Sequence, residues 1–478
     1  MTGFRLRDGQ SGPPTRESSR AYWHKDASAV LLGHRTTEVV PPTADVVIVG
    51  SGITGTFAAR ELVKGGRSVL HLEAREACWG ATGRNGGHCQ PMLYLSRPHV
   101  ARFELGTYEF LRDFIAEHKI PCDWKVVGGV HALFDKESYD AAEKLISLLR
   151  REHPDLAEKV ILARRDASRS LRVPAAWGAV VQTHAAKLWP YKLVAWVLEQ
   201  LLGEHPANEY NLQTNTPVEH LQRNDGHGGS GWIVHTRRGQ VAARHVLLAC
   251  NAYTSYLLTG MTGLITPVRG QVTALVPPAV GHKPLEHSYV WMRGGGDDDY
   301  LIERDEEGDE RVLILGGERF GTSGAEEGIW DDGPVNHVVG ENLRRALSTA
   351  VKLRGEEYEE AERLEAKYEW TGIMGFSKDN YPWVGRVPPS LGGGGGEPGE
   401  ESHLWISAGY TGHGMPTAAR CGIRVAQMMM GKNKSFEMPE EYEMSEERAE
   451  RAAKMEPTVS RGFVDDAERL LHTLQGRT

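Results

Sequence analysis

Cysteine is scarce. The 478-residue chain has five, Cys78, Cys89, Cys122, Cys250 and Cys421, and no two of them form a CxxC pair. This scatter argues against a disulfide framework or a structural zinc site and points to a reducing compartment. Long apolar runs are also missing: none approaches the roughly 18 residues of a membrane span. The first 40 residues lack the apolar core of a secretory signal, and the final Gln475-Gly476-Arg477-Thr478 is not a peroxisomal ending, so the expected location is cytoplasmic. Nor is there an excess of positive charge. Lys and Arg total 55 against 64 Asp and Glu, giving a net charge of -9, so no basic stripe for nucleic acid is expected. Internal repeats and metal-ligand spacings are absent too.

What is present is a folded α/β protein, 40% hydrophobic and long enough for two domains. Its most informative stretch is "ADVVIVGSGITGTFAARELVKGGRSVLHLEAREA", Ala44 to Ala77. Asp45 to Val49 reads as a buried strand. Gly50, Gly52 and Gly55 then follow in a GxGxxG spacing at the start of a helix carrying Ala58, Ala59 and Leu62. Gly50 permits the sharp turn, Gly52 lets amides approach a pyrophosphate, and Gly55 lets helix and sheet pack closely. The amides of Ser51, Ile53 and Thr54 sit where the helix N-terminus favours an anion. The second strand, Ser68 to Leu72, ends at Glu73, roughly 20 residues on, where an acid accepts hydrogen bonds from a ribose. Ala74 follows it, and Arg75 lies either over an adenine or on the surface. Together these features predict dinucleotide binding without separating NAD from FAD.

Further elements follow from periodicity and punctuation. Glu104 to Glu117, Tyr139 to Glu152 and Tyr191 to Leu202 read as helices; Val246 to Cys250 and Leu404 to Ala408 read as buried strands. Ser288 to Gly317 alternates like an antiparallel meander. Gly392 to Gly396 reads as a surface insertion, and Glu440 to Lys454 as a charged helix with a solvated face. After the second strand, "CWGATGRNGGHCQPM" (Cys78 to Met92) keeps an extended backbone where a nicotinamide domain would start another helix, a path suited to running beside a flat ring. Near the far end, Gly409, Gly412 and Gly414 precede a helix starting near Pro416, whose N-terminus would stabilise negative charge.

With these motifs in view, the chain resembles the FAD-dependent D-amino acid oxidase superfamily, of glutathione-reductase-like fold, and within it the glycine/sarcosine and γ-glutamylputrescine oxidase-like branch. Besides the fingerprint, five segments carry the resemblance: "GATGRNGGH" (Gly80 to His88), "LLACNAYTSYL" (Leu247 to Leu257), "TPVRGQV" (Thr266 to Val272), "YEWTGIMGFSKDNYPWVG" (Tyr368 to Gly385) and "SAGYTGHGMPTAARCG" (Ser407 to Gly422). No redox cysteine pair, second fingerprint, "GDAAH"-like segment or "RxGGR" loop is present, which sets the chain apart from disulfide reductases, aromatic hydroxylases and monoamine oxidases.

The resemblance implies a Rossmann-type FAD domain interleaved with an antiparallel-sheet substrate domain. The expected boundaries are an arm at 1-43, an FAD domain at 44-95, 185-262 and 370-432, a substrate domain at 96-184 and 263-369, and a helical tail at 433-478. It further implies FAD contacts from Ala81, Thr82, Arg84, Asn85, Gly86, Gly87, His88, Asn251, Ala252, Gly409, Tyr410, Gly412, His413, Gly414 and Met415. Val218 is either an adenine contact or core. FAD is expected to be non-covalent, with His88 or Cys89 as the alternative attachment points.

The implied chemistry is oxidation of a C-N bond of a small amine or amino acid by hydride transfer to flavin N5, with molecular oxygen as acceptor. The alternatives are a dehydrogenase passing electrons to a quinone or partner protein, and a non-catalytic flavin protein. Arg84, as a cofactor or carboxylate ligand, and His88, as a base or a structural histidine, are the candidate chemical residues. Trp370, Trp291 and Arg293 are candidates for the substrate wall.

Overall fold

The computed structural model describes residues 6-224, 231-292, 299-305, 311-394, 403-456 and 462-475. Arg293 and, in the glycine run, Gly395 and Gly396 lie outside the described residues.

Thr43–Val49 is β-branched and rich in valine, and its last four residues are buried. It occupies the middle of the first sheet, running parallel to both Val69–Leu72 and Gly239–Leu248. Tyr210–Gln213 extends one side, and Gly231–Thr236 and Val218–Asn224 extend the other as an antiparallel hairpin. Leu404–Ala408 also runs parallel to Gly239–Leu248. Strands buried on both faces read as continuous apolar runs, which is why this sheet is legible as parallel. The helix Ile53–Lys64 packs against Ala418–Met429, and the fit requires glycine: a Cβ on Gly422 would lie 2.3 Å from the Thr54 carbonyl oxygen.

Among the described residues the second sheet has eight strands, in the order Ala366–Ser377, Ile265–Leu275, Leu313–Gly316, Tyr300–Glu303, Ser288–Met292, Gly129–Leu133, Gly178–Gln182 and Val160–Ala163. The expected meander is present as its three middle strands. One parallel pairing, Ser288–Met292 with Gly129–Leu133, joins the two chain segments that build the sheet.

Four features of the packing bear on the sequence reading. Position 370 falls inside Ala366–Ser377, which pairs along its whole length with Ile265–Leu275, so the second sheet continues to Ser377. The helix Pro98–His118 packs with the first sheet's core, Phe57 against Phe110 and Phe114, although 96-184 was assigned to the other domain. The N-terminal arm is part of the core: Tyr22 and Trp23 are buried, and the Trp23 indole donates to the Asn85 carbonyl. Isolated aromatics carry no periodicity, so burial of such a segment has no sequence signal. Finally, Glu440 to Lys454 is interrupted: Ser445 caps a separate helix, Glu446–Ala453.

Candidate active site

Among the described residues one continuous cavity of about 1460 Å³ is lined by strands of both sheets. Typical small-ligand pockets span roughly 300–1,000 Å³, so the volume suits a dinucleotide plus a substrate. Its wall contains Gly50, Ser51, Gly52, Ile53, Thr54, Glu73, Ala74, Arg75, Ala81, Thr82, Arg84, Asn85, Gly86, His88, Val218, Asn251, Tyr410, Gly412, His413, Gly414 and Met415, so the separate motifs of the sequence converge on one space. Gly55, Gly87, Ala252 and Gly409 do not line it.

The dinucleotide end fits its expected ligand on geometric grounds. Gly50 takes φ +105°, and a Cβ on Gly55 would lie 2.0 Å from the Gly50 carbonyl oxygen. The helix Ile53–Lys64 follows Gly52, which has no side chain to cap it; the Ile53 amide donates to the Thr82 hydroxyl at 3.1 Å, and the N-terminal end of the helix dipole faces the cavity wall. Glu73 Oε2 accepts from the Ser51 amide (3.0 Å) and hydroxyl (2.7 Å), and Oε1 accepts from the Arg75 amide (2.9 Å). These bonds fix the carboxylate at the strand end. His71, which the sequence reading missed, holds the turn from behind: its Nε2 lies 2.9 Å from the Gly50 oxygen and its Nδ1 3.0 Å from the Tyr210 hydroxyl. Burial lowers its pKa, so the neutral ring donates to Gly50 and accepts from Tyr210.

Both arginines are tied into the protein. Arg75 is buried on the cavity wall, not on the surface, and its guanidinium pairs with both oxygens of buried Asp332, at 2.8 and 3.0 Å. Arg84 lines the cavity, but its guanidinium points into the N-terminal arm. Nε donates to the Thr371 carbonyl and Nη2 to the Ser19 carbonyl, with Asp332 3.3 Å away. Burial pulls its pKa down to about 10, partly offset by Asp332. It therefore ties the loop to the arm and the second sheet, and its charge is not directed at a substrate.

Trp370 is a correction as well. It is fully buried, does not line the cavity, and donates its indole N-H to the Arg84 carbonyl at 2.8 Å. Trp291 is likewise buried in the second sheet's own core. Cys89 is buried behind the wall, with its thiol pushed up by burial, whereas His88 lies on the wall. The His88 ring is T-shaped to Tyr300 at 5.8 Å; burial lowers its pKa to about 3, and its Nε2 has no hydrogen-bond partner. It is a neutral imidazole on the cavity wall. Tyr300 closes over the loop, and a Cβ on Gly86 would lie 2.0 Å from its ring, so the glycine makes room for the second sheet's roof.

The turn before the last helix is held by Asn251, whose Oδ1 accepts from the amides of Gly409 (3.0 Å) and Tyr410 (3.4 Å). The Tyr410 hydroxyl is used internally, bonded to Thr54 and Ser407. His413 Nε2 lies 3.1 Å from Glu104 Oε2, which also accepts from the Met92 amide at 2.7 Å. Beyond it is a buried polar cluster. His131, pushed to about 3 by burial, accepts at Nε2 from Gln182 (3.1 Å) and at Nδ1 faces the Tyr94 hydroxyl (3.0 Å), with Gln90 in contact. The sequence reading missed Glu104, His131, Gln90 and Tyr300. Glu104 did leave a signal, a carboxylate within the apolar stripe Val100, Phe103, Thr107, Tyr108 and Leu111.

Among the described residues no cluster of ligands for a metal ion occurs, and no helix is long and apolar enough to cross a membrane. A family model described as "FAD dependent oxidoreductase", DAO, matches residues 45–428. The chain is 24% identical over 419 residues to gamma-glutamylputrescine oxidoreductase of Escherichia coli (strain K12), covering 83% of this chain and 85% of the relative. It is 22% identical over 416 residues to the probable oxidoreductase OrdL of Rhizobium meliloti (strain 1021), covering 83% and 85%. Among solved structures, glycine oxidase from Geobacillus kaustophilus superimposes with a TM-score of 0.66 at 20% identity, over 85% of this chain and 99% of that one.

Proposed function

The chain belongs to the DAO family of FAD-dependent oxidoreductases, and from that premise we propose that it oxidises a C-N bond of a small amine or amino acid, with dioxygen as the final acceptor. FAD bound in the cavity supplies the acceptor for the hydride leaving the substrate carbon. The fingerprint turn and Glu73 would hold its adenosine and pyrophosphate, and the turn at Gly412 to Met415, at the mouth of the helix Ala418–Met429, would face its electron-accepting end. Attachment is non-covalent in this reading, supported by the position of Cys89 behind the wall.

The observation that carries the proposal is the continuity of one cavity from the dinucleotide turn to a substrate-sized space walled by His88, Tyr300, His413 and Glu104. In that space the protein contributes position and electrostatics. A neutral His88 offers a lone pair to an incoming ammonium, and the His413–Glu104 pair fixes the glycine turn to the helix Pro98–His118. The names of gamma-glutamylputrescine oxidoreductase and glycine oxidase among the similar proteins support a nitrogen-bearing substrate.

The test is an anaerobic titration of the purified holoenzyme with sarcosine, D- and L-amino acids, mono- and diamines and hydroxy acids, followed at the flavin's visible absorbance before air is admitted. Bleaching by an amine and rapid return of colour with peroxide is the expected result. Bleaching only by hydroxy acids rules out C-N oxidation, and slow recovery in air with fast recovery on adding a quinone replaces dioxygen as the acceptor.

A further inference from the structure

Glu104 is a carboxylate at 4% exposure on the cavity wall. Its Oε2 is occupied by the Met92 amide and His413, but among the described residues no donor is bonded to Oε1. A buried charge is costly unless it is paired, and a carboxylate with one oxygen left open is suited to a cationic partner. Two aromatic rings share this part of the wall. Tyr381 and Tyr442 line the cavity with centroids 6.0 Å apart, and the Glu104 carboxylate is near enough for its charge to act on both phenols, together with Arg97, Glu441 and Asp379 at Tyr381. A carboxylate beside tyrosine faces is the chemistry that receives an alkylammonium group.

We propose that Glu104, Tyr381 and Tyr442 form a recognition subsite for a cationic nitrogen of the substrate that is not the nitrogen being oxidised. This rests on the reading that the cavity takes an amine. Holding a nitrogen against a carboxylate stabilises its protonated form, whereas loss of a hydride from the adjacent carbon needs the lone pair of a neutral amine. A nitrogen seated at Glu104 therefore keeps its charge and serves as an anchor while a second nitrogen reacts. The substrate class is one that carries a second, non-reacting basic nitrogen.

The experiment is calorimetric titration of the FAD-loaded protein with tetramethylammonium, which has no N-H or oxidisable lone pair, and with tert-butanol as a neutral solute of similar girth. Tetramethylammonium is expected to bind the wild type, Glu104→Gln to weaken it by roughly tenfold or more, and Tyr381→Leu to weaken it several-fold, with tert-butanol indifferent to all three. Glutamine keeps an acceptor for the Met92 amide, and unchanged flavin content confirms the fold. The leucine variant removes a ring face without touching the carboxylate. Absence of tetramethylammonium binding to the wild type, or equal binding to Glu104→Gln, overturns the subsite. Because this readout involves no oxidation, it can succeed when no amine bleaches the flavin, in which case the proposed activity fails and the cation subsite stands.

Discussion

Arg75 and Asp332 form a buried pair, the Nη1 group 2.8 Å and 3.0 Å from the two carboxylate oxygens, across 257 positions of sequence. Asp332 also lies 3.3 Å from Arg84 and is 1% exposed, so one carboxylate balances two buried guanidinium groups, one beside Glu73 and one in the Gly80 to His88 loop. Replacing it leaves both cations uncompensated. Asp332→Asn is expected to cost about 3–5 kcal/mol of stability, read from urea unfolding, and an unchanged midpoint would show that solvent already screens the pair.

Gly55→Ala places a Cβ 2.0 Å from the Gly50 oxygen, against backbone that cannot rotate away. The protein is expected to fold with the fingerprint helix displaced and to purify without its yellow cofactor. Flavin absorbance per mole of protein decides it, and full FAD content would refute the close-packing role.

Glu73 is held by three donors, the amide and hydroxyl of Ser51 in the fingerprint turn and the Arg75 amide, which aim it without consuming all of its acceptor capacity. Glu73→Ala is expected to weaken FAD binding by roughly 10- to 100-fold, the equivalent of about 1.5–3 kcal/mol for charge-assisted hydrogen bonds. Equilibrium titration of the apoprotein with FAD measures the change.

Three histidines, His24, His88 and His131, have pKa values lowered to about 3, each chiefly by burial; His24 is further lowered by Arg84 and Arg75. The unfolded chain titrates them near about 6.5. Between those values the unfolded state binds more protons, so stability is complete above the unfolded value and is lost as pH falls toward 3. Each histidine contributes a slope of about 1.4 kcal/mol per pH unit inside that window. Unfolding free energies measured from pH 7 to 4.5 should fall steeply in the wild type and less steeply in His131→Gln; parallel profiles would contradict a neutral buried His131.

Trp370→Phe removes the indole bond to the Arg84 carbonyl and leaves the cavity wall intact. A loss of about 1–3 kcal/mol in stability with flavin reduction kinetics unchanged is expected. A large drop in the rate of anaerobic bleaching would return Trp370 to the substrate wall.

The legible parts of the protein were those governed by local rules. Gly50, Gly52, Gly55 and Glu73 reveal a dinucleotide turn because the geometry is made by neighbours in sequence, and the buried parallel strands show as apolar runs for the same reason. The helix at Glu104 was legible as a helix, but the meaning of its carboxylate was not, because its partner His413 is 309 positions away. The same distance effect misdirected the reading of Arg75, Arg84 and Trp370, residue types that suit a ligand as well as they suit each other.

By itself, then, the sequence determined the dinucleotide architecture, the order of the motifs and the flavin family they resemble. These follow from φ angles, helix termini and period-two or continuous burial, which are set within a few residues. Only the tertiary structure decided which charges are spent internally and which face the cavity. Asp332 claims two arginines, the arm's Trp23 seals the Gly86-Gly87 loop, and Glu104 keeps one oxygen open beside Tyr381 and Tyr442. A charge's role depends on what lies within a few ångströms of it, and in this chain those neighbours come from segments hundreds of residues apart.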